Sequence, residues 1–299
     1  MPSYRNLAIG AICICAIAYS FISPVTNDTY SHASMIIDGS GDYPPLLHYL
    51  VKVPLLVVGF NYSNAVAFTF LIGSVLTLVI LPYFIFKMFE EYKNSSRTAF
   101  LGLIAYLFGT GVTNYLYYAN VWAQSLAMIF IVITITCLMK KETMKASLFV
   151  ALTFLAHREM CWYALVILIA YFVISRKQIE QIYSGAAYCL SKSGEITRSL
   201  SCYLPIFLIV YPFIWLPTLR NAAWKTVNDK LYVVSSLAPL MFVFIDLRVF
   251  LATFTFWSLY VGEEMLKSKK RLVLILLISA LFASFSFFYT LDLATTAIS

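Results

Sequence analysis

The chain has 299 residues, 61% hydrophobic and only 12% charged, with a net charge of +7 and a mean hydropathy of +0.83. A soluble domain carries about 25% charged residues, so this composition excludes an ordinary soluble protein. The bases sit in short clusters at the ends of apolar runs, as membrane-loop anchors do, which argues against a nucleic-acid partner.

Apolar runs of about 20 residues, each long enough to cross a bilayer, recur from end to end. They are continuous rather than alternating and so predict helices. An uncleaved first span is predicted over 6–23, ending at Ser23-Pro24. The stretch from Asn27 to Leu50 follows, NDTYSHASMIIDGSGDYPPLLHYL. It carries Asp28, Asp38, Asp42, His32 and His48, and no Lys or Arg lies between Arg5 and Lys52. It reads as an acidic loop.

Residues 46–60 are apolar but short for a span, which predicts a half-buried helix lying at the interface, with His48 and Lys52 on one face. Further spans are predicted over 64–88, 98–115 and 121–139. The tyrosine-rich turn NYLYYANVW precedes the last of these. Apolar stretches 146–156 and 161–175 flank His157-Arg158-Glu159. After the polar residues 178–200, runs lie at 201–219, 231–247, 249–265 and 272–291. The fold class is therefore an all-α polytopic membrane protein of about eight or nine spans, with 1–299 as a single domain. Helices within 176–299 are expected to complete the bundle. The six cysteines have the spacing of neither a zinc site nor a disulfide framework.

The positive-inside rule places the clusters Lys87–Arg97, Lys140–Lys145 and Arg176–Lys177 in the cytoplasm. The acidic loop, the tyrosine-rich turn and His157–Glu159 then all face outward. Three runs separate Arg176–Lys177 from Lys267–Arg271, so the side of Arg248 is left open.

Ionisable groups at membrane depth are candidate functional groups. His157 and Arg158 suit an anion such as phosphate, Arg offering planar donors; a solvated hairpin turn is the plain alternative. Arg248 is a second phosphate candidate or a local ion pair with Asp246. Gln124 is a polar group near the outer end of its span, or a helix-packing hydrogen bond. Tyr43-Pro44-Pro45 fixes the chain direction, so a neighbouring acid is held in place. Asp28 and His32 share a face if the stretch starts helically. A fixed carboxylate can act as a general base on a hydroxyl or hold a divalent cation such as Mg or Mn. The convergent ligands are too few for a dedicated metal cage.

An acidic first outer loop, then DYPPLLHYL, then an interfacial helix resembles the GT-C superfamily of membrane glycosyltransferases, which use polyprenyl-phosphate-linked or polyprenyl-diphosphate-linked sugars. NVWAQSLA and FLAHRE resemble it too. The resemblance covers about residues 1–175, with a weaker match around Asp246–Phe250. It implies Asp28 as the catalytic base and Asp42 as a second acidic position. It also implies His32 and Tyr43 positioning acceptor or sugar, and His157, Arg158 and Arg248 meeting the lipid phosphate. The chain is also similar to Wzy-like exopolysaccharide polymerases, but Ala123 stands where that family carries Arg.

The resemblance implies an inverting glycosyltransferase that moves a sugar from a polyprenyl-phosphate donor to a glycan, lipid or protein hydroxyl. It would work at the extracytoplasmic or lumenal face of a membrane. A glycolipid transporter, or a subunit that needs a partner, are the alternatives from other classes. No internal repeat of the kind common in transporters is visible.

Overall fold

A computed structural model describes residues 3–21, 25–39, 43–109, 112–118, 120–175, 221–239, 247–271, 273–275 and 277. These residues are 88% helical and contain no strand. Helix α1 spans Tyr4–Ser20 and starts on Ser3, whose hydroxyl accepts the Asn6 N–H. Helix α2, Asn27–Asp38, occupies the first half of the stretch expected to be a loop. The correction has a physical cause. Thr26 is extended, Asp28 sits in the first turn, and Gly39 ends the helix in the left-handed region at φ 67°, each a helix-boundary signal. Ala33 and Ile36 then bury against Val51, Leu55 and Ala65.

Helix α3, Leu46–Val58, is the expected short helix. Its buried stripe is Leu47, Val51 and Leu55, while Leu56 and Val57 are exposed. Helices α4 (Tyr62–Val75) and α5 (Leu81–Lys93) form one rod through a wider π-turn at Leu76–Ile80. Pro82 stands in the first turn of α5, two residues past that turn. Its missing N–H and its ring make a regular turn unfavourable there.

Helix α6, Ser96–Ile104, continues as a π-turn over Ala105–Gly109, and α7 spans Val112–Tyr118. The expected single span over 98–115 is seen as helix over 98–109 and 112–115, and residues 110–111 lie outside the described residues. Helices α8 (Trp122–Met139), α9 (Thr143–Ala156) and α10 (Arg158–Ser175) match their apolar runs. Helices α11 (Val227–Leu237) and α12 (Leu247–Lys267) complete the described part.

Among the described residues, three helices are long and apolar enough to cross a membrane: Tyr62–Lys93, Trp122–Met139 and Arg158–Ser175. Tyr4–Ser20, Leu46–Val58, Ser96–Phe108 and Thr143–Ala156 are shorter apolar helices. The described residues thus hold fewer full-length spans than the eight or nine expected. The run 201–219 and nearly all of 272–291 lie outside them. Helix α8 is buried along its length at the centre of the bundle. Close backbone approach sets α6 against α12. A Cβ on Gly262 would stand 2.4 Å from the Gly102 nitrogen, so small residues are required at this crossing.

Ion pairs mark one end of the bundle. Arg5 and Lys87 meet Glu90 at 2.8 and 3.1 Å. Lys140 meets Glu91 at 3.2 Å, and Lys93 meets Glu263 at 2.7 Å. Lys267 and Arg271 both bind Glu264. These residues come from the start of α1 and the ends of α5, α8 and α12. The Lys267–Arg271 cluster therefore lies at the same end as Lys87–Lys93. Helix α12 is 21 residues long, or about 31 Å, so position 248 lies at the opposite end.

Candidate functional site

That opposite end gathers every histidine of the chain. His32 comes from α2, His48 from the first turn of α3, and His157 from the break between α9 and α10. Tyr43 lies among them. Its ring centroid is 4.9 Å from that of His32, 5.9 Å from His48 and 6.5 Å from His157.

The α2 side of the site is a chain of three groups. Asp28 Oδ2 lies 3.5 Å from His32 Nε2, one helical turn on. His32 Nδ1 lies 2.9 Å from His48 Nε2. The His32 side chain is 2% exposed and that of Asp28 38%. A carboxylate open to solvent is thus backed by a buried imidazole. Burial, together with the charge influence of His32 and Lys52, pushes His48 down to about 4. His48 is therefore neutral at physiological pH. The His48 ring turns inward to His32.

The other side is built by a helix break. His157 ends α9 in an extended conformation, φ −159° and ψ 120°. Its ring is 4% exposed, and Nδ1 lies 3.1 Å from Glu159 Oε2. A solvated hairpin turn is thereby excluded for His157. Arg158 and Glu159 form the first turn of α10. A helix N-terminus carries partial positive charge and free N–H groups, and Arg158 adds a full charge to it.

A second layer holds α2 in place. Asn120 is left-handed at φ 55°, a conformation that Asn tolerates better than most residues. Its Oδ1 accepts the Thr26 N–H and the Thr29 hydroxyl, both at 2.8 Å. Its amide donates to the Tyr117 carbonyl at 2.7 Å. Trp122 Nε1 donates to the Thr29 hydroxyl at 2.9 Å. The turn between α7 and α8 thus caps the start of α2 from outside, taking the Thr26 N–H and the Thr29 hydroxyl.

Of the residues singled out in the sequence, Asp28, His32, Tyr43, His157 and Arg158 come together here. Gln124 is buried in the first turn of α8. Asp38 is exposed at the end of α2. Asp42 and Asp246 lie outside the described residues. Arg248 belongs to the first turn of α12, at this end of the bundle. Sequence reasoning misses His48, Glu159, Asn120 and Thr29. The available signals are the position of His48 beside the stripe Leu47–Val51–Leu55, and an Asn in a turn between apolar runs. Among the described residues, no three His, Cys, Asp or Glu side chains form a group that could hold a metal ion.

No protein-family model matches the chain, and no curated protein matches it either.

Proposed function

We propose that the chain is a multi-pass membrane glycosyltransferase of the inverting type, with a polyprenyl-phosphate-linked sugar as donor and a hydroxyl of a glycan, lipid or protein as acceptor. One observation carries the reading. An accessible carboxylate backed by a buried imidazole, Asp28–His32, shares Tyr43 with a second histidine, His157, that adjoins a cation at a helix N-terminus, Arg158. Such a pair of groups suits a reaction in which one end loses a proton and the other gains negative charge.

Asp28 accepts the acceptor's hydroxyl proton as that oxygen attacks the anomeric carbon. The bond from that carbon to the phosphate oxygen breaks, and its electron pair leaves with the phosphate. Arg158, the N-terminus of α10 and His157 stabilise that charge, which grows in the transition state. Position 248 at the same end is a further candidate for the lipid phosphate. Tyr43 and His32 border the space where sugar and acceptor meet.

The charge distribution supports the location. The ion-paired basic end belongs in the cytoplasm by the positive-inside rule. The histidine end then faces the extracytoplasmic or lumenal side. Helix α3, with its exposed Tyr49, Leu50, Val53 and Leu56, lies on the membrane surface there. Eight or nine spans, some of them short and tilted or re-entrant, complete the topology. The test is binding of polyprenyl phosphate against polyprenol by native mass spectrometry. The wild-type protein retains the phosphate form selectively, and Arg158→Ala loses that selectivity. Equal retention of the two lipids by the wild type would remove the phosphate site.

A further inference from the structure

We propose that His48 is a positioning residue, the outer member of a series His48–His32–Asp28, joined by one hydrogen bond and one 3.5 Å charge contact, that fixes the direction of the Asp28 carboxylate. The inference rests on the glycosyltransferase reading for the role of Asp28, and on geometry alone for the series itself.

Each link follows from donor and acceptor inventory. A carboxylate only accepts, so the His32 nitrogen facing Asp28 Oδ2, Nε2, carries the proton. His32 is assigned its neutral form, which has one N–H, so its Nδ1 is bare. It lies 2.9 Å from His48 Nε2, which must then be the donor. A neutral His48 protonated on Nε2 satisfies this. The groups facing His48 are His32 from α2, Lys52 from its own helix and the Tyr43 ring. The buried His32 ring is held from both sides, and Asp28 Oδ2 is engaged from behind. Oδ1 of the same carboxylate is the oxygen left to take the acceptor proton. The 3.5 Å separation of Asp28 from His32 is longer than a hydrogen bond, as is common in unliganded sites that tighten when substrate arrives.

A glutamine at 48 can place an amide N–H near the Nε2 position and keep the donor. An alanine cannot. The chain has only three histidines, so nitrogen-labelled histidine gives an NMR spectrum in micelles that single His→Gln variants assign. The expected result is one nitrogen–nitrogen coupling across the His48–His32 hydrogen bond, with His32 Nδ1 bare and Nε2 protonated. His48→Gln keeps the His32 tautomer; His48→Ala gives a mixture of tautomers. In a transfer assay with a radiolabelled hexosyl polyprenyl phosphate and an alkyl glucoside as acceptor, His48→Ala loses tenfold or more in kcat with little change in donor KM. Its pH–rate profile shifts, and His48→Gln stays within about threefold of wild type. Absence of the coupling, or a wild-type pH–rate profile in His48→Ala, overturns the role of His48 while Asp28→Asn remains inactive. If the coupling is present but Asp28→Asn is fully active, the series stands and the glycosyltransferase reading fails.

Discussion

Thr29 and Asn120 tie α2 to the turn before α8: the Thr29 hydroxyl donates to Asn120 Oδ1 at 2.8 Å, and both side chains are fully buried. Because Asn120 also accepts the Thr26 N–H, its removal takes away two hydrogen bonds at the start of α2. Each such loss costs about 1–3 kcal/mol. Asn120→Ala also places a β-carbon residue at positive φ, whereas Asn120→Gly relieves only the backbone. Both variants are expected to unfold at lower temperature in micelles than wild type, with Asn120→Gly the milder. Unchanged melting of both would refute the capping role.

Gly73 and Trp122 are packed without a gap. A Cβ on Gly73 would stand 2.1 Å from the indole Cδ2, and Trp122 Nε1 is tied to Thr29. Gly73→Ala must therefore displace the ring and, through it, α2. Overpacking of this kind costs about 1–3 kcal/mol. Trp122→Leu removes the obstacle at its own cost. The double variant is expected to be less destabilised than the sum of the singles, since contacting sites couple by about 0.5–3 kcal/mol. Strict additivity in denaturant melts would argue against the contact.

His48 also gives stability a pH dependence. Its native value of about 4 lies below the ordinary 6.5, so between those pH values the unfolded chain binds a proton that the folded one does not. Stability contributed by neutral His48 is fully present above pH 6.5 and is lost as pH falls toward 4. The ring is partly exposed, so the effect is on the order of 1–2 kcal/mol after solvent screening. His48→Gln should flatten this part of the pH–stability curve, measured as melting temperature from pH 7 to pH 4. An unaltered slope would show that other groups carry it.

The long apolar helices are legible in the sequence because burial and lipid both select continuous hydrophobic runs. Trp122–Met139 and Arg158–Ser175 fall within a few residues of their expected bounds for this reason. The Asn27–Asp38 helix is not legible as such. Its polar residues suggest a loop, and the group that caps it, Asn120, is distant in sequence. The site is half legible for the same reason. The spacing of Asp28 and His32 is local and visible, as is the interruption at His157–Glu159. The inward turn of His48 depends on how α3 rotates about its buried stripe, and that is set by packing against α2 and α4. The Tyr43 junction of the two halves is a tertiary fact with no local signal beyond the rigid Tyr-Pro-Pro sequence.

The central claim is that Asp28 is the base of a glycosyl transfer. Its most direct measurement uses purified protein in proteoliposomes with a radiolabelled hexosyl polyprenyl phosphate and an alkyl glucoside as acceptor. Wild type is expected to form the glycoside with inversion at the anomeric carbon and to release polyprenyl phosphate. Asp28→Asn, with an unchanged melting temperature, is expected to form none above background. Equal product from Asp28→Asn, or movement of the donor across the bilayer with no glycosidic bond formed, would contradict it.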